Sequence, residues 1–393
     1  MAQHVEKGDT TKPYKNKLLP LPVAFYTPET KVGYGIIGMY LFKAGHDWHT
    51  RTSNFDFALI RTTRNQTIIE PTYTIFTKNE KWYIRGTWVY ALKTAETWYP
   101  LGNTNTKDDG IEVEFNNFRF NNKLLKRILP HFYVGIQQMF NYVYNLNYDP
   151  AEIKKNVEYS PLLRNILLKD LSYLSHHQTT SGVGISSLFD TRDNILNPFK
   201  GVYLDGGVTY FGKELGSDYK FMNFYADARF FKHFERNKKW FSSGTLAFNA
   251  ILNFNTAKDE TIQSAPPLPT GKPRRRFIIE NRDYRPPIHQ LASLGGSTVL
   301  RGFYRGRFKD IDAVVLQTEY RQTIYNRWGM TFFGGVGEVG SELSDFDFKG
   351  LNYSYGLGLR YMAKKSERIN LRLDLGFGNR DSRGIYVGIA EAF

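Results

Sequence analysis

Leu351-Asn-Tyr-Ser-Tyr-Gly-Leu-Gly-Leu-Arg-Tyr361 decides the fold. Every odd-numbered residue in it is Leu or Tyr, and every even-numbered one is Asn, Ser, Gly or Arg. Side chains of a β-strand alternate between two faces, so this run is a strand with one apolar face and one small or polar face. After a basic turn the pattern returns. Ile369, Leu371, Leu373, Leu375 and Phe377 alternate with Asn370, Arg372, Asp374, Gly376 and Gly378. Further back, Leu246, Phe248, Ala250, Leu252 and Phe254 enclose Asn249 and Asn253. Met222, Phe224, Ala226, Ala228 and Phe230 enclose Asn223, Tyr225, Asp227 and Arg229, and Trp82, Ile84, Trp88, Tyr90 and Leu92 enclose Tyr83, Arg85, Thr87 and Lys93. Alternating segments of about ten residues, separated by turns, are the signature of a transmembrane β-barrel.

The number of such segments supports a barrel over a two-sheet sandwich, which rarely holds so many long strands. Trp82, Tyr210, Trp240, Trp328, Tyr361 and Phe393 lie near segment ends, where membrane-interface girdles sit. A propeller would show a blade-length repeat, and none is visible. No apolar run approaches the ~18 residues of a membrane helix. Zero Cys removes disulfides, Cys-zinc sites and cysteine nucleophiles. The net charge of +14 is spread singly among Tyr, Phe and Gly, and no nucleic-acid-binding motif accompanies it, so nucleic acid is not expected as a partner. Met1 to Lys7 lacks the apolar core of a secretory signal, so the sequence reads either as a cytosolic chain or as a mature chain with an added Met.

Connections fall into two classes. Arg64 to Gln66, Glu235 to Lys239, Tyr325 to Arg327 and Lys364 to Arg368 are short, basic and polar. Ala44 to Ser53, residues 144–180 and residues 255–310 are long. Bacterial barrels have short periplasmic turns, long extracellular loops and an even strand number. About fifteen strands are clear, so sixteen are expected, with the last placed in Thr94 to Thr106, where alternation is poorest. The resulting organisation is a periplasmic lead over residues 1–30 and an outer-membrane barrel over residues 31–393, both termini periplasmic. Ala151 to Leu174 reads as an extracellular cap with room for a helix. His46 with His49, and His176 with His177, lack a carboxylate or Cys partner at ligand spacing, so no metal or cofactor is expected.

Three blocks go beyond a generic barrel: Leu294-Gly-Gly-Ser-Thr-Val-Leu-Arg-Gly-Phe303, Asp190-Thr-Arg-Asp-Asn194 followed by Pro198 and Gly201, and the end Gly384-Ile-Tyr-Val-Gly-Ile-Ala-Glu-Ala-Phe393. Together they resemble the BamA/TamA-like superfamily of outer-membrane assembly and secretion barrels, from about Lys31 onward. The resemblance implies that Leu300, Arg301, Gly302 and Phe303 form a loop tip folded back into the lumen. An arginine there needs an acidic partner, or its desolvation is uncompensated. Lumen-facing parity supplies Glu319 first and Asp374 second, with Arg321, Arg360 and Arg372 on the same face. The family often carries Phe-x-Asp-x-Gly where this chain reads Phe333-Gly-Gly-Val-Gly337, so Gly335 stands in the place of the Asp.

The family mechanism would open a seam between the first strand, Val32 to Phe42, and the last, Ile385 to Phe393. Gly384 and Gly388 would weaken that last strand. Family insertases carry N-terminal periplasmic POTRA modules, and nothing in residues 1–30 resembles one. The implied function is assistance in outer-membrane protein or lipid assembly or translocation in a Gram-negative bacterium. The partners implied are outer-membrane lipids, lipopolysaccharide, and separate biogenesis proteins or lipoproteins. The alternative is a structural subunit of a larger complex or a passive, loop-plugged pore. An enzyme is not expected, since no nucleophile, base and orienting group come together in the sequence. Arg274-Arg-Arg276 in the longest loop is a candidate contact for anionic lipopolysaccharide groups or for a partner loop.

Overall fold

The computed structural model describes residues 15–27, 30–44, 50–106, 109–149, 177–235, 239–256 and 285–393. The strands are β1 (Lys17–Thr27), β2 (Lys31–Phe42), β3 (Ser53–Thr62), β4 (Thr67–Phe76), β5 (Trp82–Trp98), β6 (Ile111–Leu129), β7 (Phe132–Tyr148), β8 (His177–Asp190) and β9 (Gly201–Phe211). They continue as β10 (Phe221–Glu235), β11 (Ser243–Asn255), β12 (Ala292–Leu294), β13 (Phe308–Asp310), β14 (Asp312–Tyr325), β15 (Trp328–Gly340), β16 (Asn352–Lys364), β17 (Ile369–Gly378) and β18 (Ser382–Ile389). Sixteen of them form one antiparallel sheet in chain order, β12 and β13 pairing apart as a small hairpin. The sheet curls until β1 and β18 approach each other, yet no ladder joins them. The result is a nearly closed sixteen-stranded barrel.

Its two surfaces reverse the order of a water-soluble protein. Leu373 on β17 is 41% exposed while its neighbour Asp374 is fully buried. Tyr353, Tyr355, Leu357 and Leu359 of β16 are exposed, and Asn352, Ser354 and Arg360 between them are buried. An apolar exterior around a polar interior is stable only where the surroundings are hydrocarbon.

The sixteenth strand is not in 94–106. Residues 94–98 belong to β5, which runs seventeen residues through a register shift between Ala91 and Thr94 opposite β6. Lys93 takes a positive φ of 52° at that bulge, and the extra residue spoils the alternation downstream. The missing strand is β1, inside the stretch read as a lead, where Lys17 to Thr27 pairs residue for residue with β2. Pro20 and Pro22 hid it. They are tolerated because β1 has a ladder partner on one side only.

This moves one strand across the count and exchanges the two ends of the barrel for everything before β6. Lys43, Ala44 and residues 50–52 lie with the short turns 130–131, 326–327 and 365–368, at the end where β1 starts and β18 finishes. Arg64 to Gln66 lies at the other end, with the long connections that follow β7 and β11. Most of the loop 149–176 and of the helix expected within it falls outside the described residues.

Candidate functional site: the arginine-tipped segment and the unpaired edge

The chain between β11 and β14 is described from residue 285. Ile288 to Gln290 make one 3-10 turn, then β12 and β13 close a hairpin by pairing Ala292 with Asp310 and Leu294 with Phe308. Ile288, Leu291 and Ile311 join Trp98, Ile111, Val113, Phe115 and Val143 of β5 to β7 in one apolar cluster. Leu294, Leu300, Phe303 and Phe308 form a second with Ala313, Val315 and Val339 of β14 and β15. Between these anchors Gly295, Gly296, Gly302 and Gly306 all take positive φ, which gives the tip its tight path.

Arg301 is 2% exposed at the tip. Its Nη1 donates to Asp374 Oδ2 at 2.6 Å on β17, and its Nη2 donates to Glu319 Oε1 on β14. Its guanidinium carbon lies 3.7 Å from the centroid of the Phe333 ring on β15. The side chain therefore spans three strands of wall in one fork, a geometry that lysine lacks.

Each carboxylate is used twice. Glu319 Oε2 accepts from Arg321 Nε at 2.7 Å, and Asp374 Oδ1 accepts from Arg360 Nη1 at 2.5 Å. Arg360 Nε donates at 2.9 Å to Glu391, whose other oxygen accepts from Asn370 at 2.6 Å. Arg372 Nη1 reaches Asp374 at 3.4 Å. Four arginines so face three carboxylates in a buried lattice in which every carboxylate is shared between arginines, with one positive charge in excess.

Glycines let the tip lie on the wall. A Cβ on Gly302 would stand 2.7 Å from the carbonyl carbon of Phe377, and one on Gly376 would stand 2.7 Å from the Gly302 nitrogen. Gly335, in the place of the family aspartate, is occupied from above. A Cβ there would meet Leu300 Cδ2 at 2.8 Å, as one on Gly337 would meet Leu300 Cδ1. The Leu300 amide donates to Gln317 Oε1 at 2.8 Å.

The last strand is tied to the same tip. Tyr386 of β18 accepts from the Gly302 amide at 3.0 Å and donates to the Phe303 carbonyl at 2.9 Å. Gly384 makes room for that phenol, since a Cβ would lie 2.4 Å from its oxygen. Gly388 makes room for Arg372, whose Nε would be 3.0 Å away. Phe393 lies beyond β18, not on it. It packs with Ala392 against Phe231 of β10 and Ala247 of β11, and its carbonyl accepts from Arg321 at 2.8 Å.

Across the unpaired edge stands β1, not the Val32 to Phe42 strand expected there. The edge is pinned at the end that carries the short turns. Lys17 pairs with Glu367 in the β16–β17 turn. Leu196, from the β8–β9 connection, packs against a cluster of Met39 and Leu41 on one side of the edge and Ile369 on the other, which Leu19 and Ile389 also flank. The Asp190-Thr-Arg-Asp-Asn194 block shapes that connection. Asn194 Oδ1 accepts the Leu196 and Asn197 amides at 2.8 Å, Asp193 holds Arg368 at 2.7 Å, and Asp190 holds Arg192 and Arg51.

Tyr386, Glu391, Leu196 and the buried Arg307, which donates to Ser382 at 3.0 Å, are functional-site residues that sequence reasoning missed. Parity alone put Tyr386 on the inward face of a strand, the one available signal. Among the described residues no three His, Cys, Asp or Glu side chains gather as a metal site. His46, His49, His176 and Arg274 to Arg276 lie outside the described residues, and His177 rests near the ring of Tyr142.

Known structures share this fold. BamA from Haemophilus ducreyi lacking POTRA domains 1-3 aligns with a TM-score of 0.54 at 13% identity, over 96% of this chain and 70% of that one. CdiB from Acinetobacter baumannii gives 0.52 at 12% identity, over 95% of this chain and 59% of that one. CdiB from Escherichia coli gives 0.52 at 10%, over 96% and 63%. The chain thus spans about three fifths of the CdiB chains. No curated protein matches the sequence. The Omp85 superfamily domain matches residues 42–393, and on that match, carried by a barrel of the same architecture, the chain belongs to the Omp85 superfamily.

Proposed function

We propose that this outer-membrane barrel assists the assembly or translocation of outer-membrane proteins or lipids, with the β1–β18 edge as the place of exchange with the bilayer. The observation that carries the reading is the unpaired edge: every other neighbouring pair of the sixteen strands is hydrogen-bonded. β18 is a strand of eight residues and β1 carries two prolines, and with no ladder between them their separation breaks no ladder bond. The tie from Tyr386 to the Arg301 tip couples that edge to the buried charge lattice. Both termini face the periplasm in this reading, and separate biogenesis proteins or lipoproteins act with the barrel. Its role is not catalytic.

Crosslinking in native outer membranes, purification of the barrel and mass spectrometry of what accompanies it test this. Recovery with an insertase barrel, periplasmic modules or lipoproteins supports it. Recovery alone, with steady conductance in a planar bilayer, overturns it in favour of a self-contained pore. A cysteine on β1 and another on β18 supply a second arm in a chain without native cysteine. Oxidation that locks the edge abolishes the assisted process, and reduction restores it.

A further inference from the structure

The inward faces of the first three strands differ from the rest of the barrel. Leu19, Leu21, Val23 and Phe25 of β1, then Ile37, Met39 and Leu41 of β2, point inward, followed by Ala58 and Ile60 of β3, whose Asn54 and Asp56 share that face only toward the end with the short turns. Cross-strand rows are continuous there: Val23 stands opposite Gly35, which stands opposite Ile60, and Leu21 opposite Ile37, which stands opposite Ala58. The outward faces are apolar too, with Leu18, Val32, Ile36, Phe57 and Leu59 exposed. Elsewhere the inner wall is polar, as around Asp374, or its apolar residues are covered, as Ile111 and Val113 are by Ile288 and Leu291, and Val315 by Leu300. Strands apolar on both faces belong where both faces are dry. Met39 and Leu41 are covered by Leu196 and its neighbours, but Leu21, Val23, Phe25, Ile37 and Ile60 remain partly exposed to the interior.

We infer that this inner face binds the acyl chain of an anionic, phosphate-bearing lipid that reaches it past the β1–β18 edge. The inference rests on the proposed function and names a substrate class for the same edge. Three observations select a lipid. The apolar inner face is continuous with the bilayer-facing exterior at an edge that no ladder closes. Pro20 and Pro22, two residues apart, remove two N–H donors from one side of β1, which makes it a poor template for an incoming protein strand and costs an acyl chain nothing. A chamber of about 420 Å³ within the β5 to β11 wall is lined by Arg85, Arg119, Lys123 and Arg229 against Asp205 and Asp227, an excess of positive charge inside the same barrel. Arg119 has no hydrogen-bonded carboxylate among the described residues, whereas Lys123 and Arg229 have theirs at 2.6 and 2.5 Å.

Single cysteines carrying a fluorophore test this in nanodiscs of phosphatidylglycerol with brominated acyl chains. Val23→Cys and Ile60→Cys report the inner apolar face, Ala24→Cys the outer face, and Asn253→Cys the polar inner wall. The expected result is quenching at Val23 and Ile60 equal to that at Ala24, with none at Asn253. Brominated phosphatidylcholine, or Arg119→Gln, lowers the quenching at Val23 and leaves Ala24 unchanged. Quenching at Val23 and Ile60 no greater than at Asn253 overturns the inference. So do photocrosslinks from these sites to a protein partner or to this chain itself. Inner-face quenching without copurified biogenesis partners would keep the lipid and reject the biogenesis role, and the converse would do the reverse.

Discussion

The hydroxyl of Tyr386 and the amide of Gly302 are 3.0 Å apart, which ties the last strand of the barrel to the tip of its longest connection. Tyr386→Phe removes that acceptor and leaves the Gly302 amide unsatisfied in a dry place, while the Phe303 carbonyl keeps the Gly296 amide at 3.1 Å. A loss of ~1–3 kcal/mol is expected. Protease sensitivity of residues 285–311 reads it directly. Unchanged resistance would mean that the edge and the tip are uncoupled.

Arg301→Ala leaves Glu319 and Asp374 without their shared partner while Arg321 and Arg360 stay. The expected cost is ~3–5 kcal/mol, as for a broken buried ion pair. Arg301→Lys recovers little, because one ammonium cannot fork to two strands. The temperature at which the folded gel band is lost measures both variants.

Gly335→Asp restores the residue common in the family and here destabilises by ~1–3 kcal/mol, because Leu300 already fills the space. Leu300→Ala in the same background recovers part of the loss. A double-mutant cycle in urea reports the coupling. Additive effects would show that the two side chains do not compete.

Acid and base loosen the segment through different groups. Burial pulls His289 from 6.5 down to about 3, so its contribution is lost as pH falls below 6.5. Burial, with Asp312 and Asp345 nearby, pushes Asp310 from 3.8 up to about 6, so its contribution is lost as pH rises through 6. His289→Leu is expected to raise amide protection of the segment at pH 4.5, and Asp310→Asn to raise it at pH 8. Hydrogen exchange of residues 285–311 at the two pH values checks both signs.

Leu196→Ala empties the contact that bridges the edge and is expected to cost ~1–3 kcal/mol. Its signature is faster disulfide trapping between cysteines on β1 and β18, with the Arg301 lattice intact.

The sequence by itself determined whatever depends on local alternation. The all-β class, fifteen of the sixteen strands and the shared face of Glu319 and Asp374 follow from a two-residue period, which needs no knowledge of neighbours, and the sixteenth strand from the even number that a barrel requires. It failed where the period was broken or disguised. The bulge at Lys93 imitated a strand boundary, and Pro20 and Pro22 imitated a linker, so the sixteenth strand was expected at 94–106 when it lies at 17–27. Only the tertiary structure decided what meets what across the barrel: Leu300 above Gly335, Tyr386 beneath Gly302, Leu196 at the edge between β1 and β18. Each of these contacts joins residues from elements that are not ladder neighbours. Closure of the sheet brings them together, and no period in the sequence encodes closure.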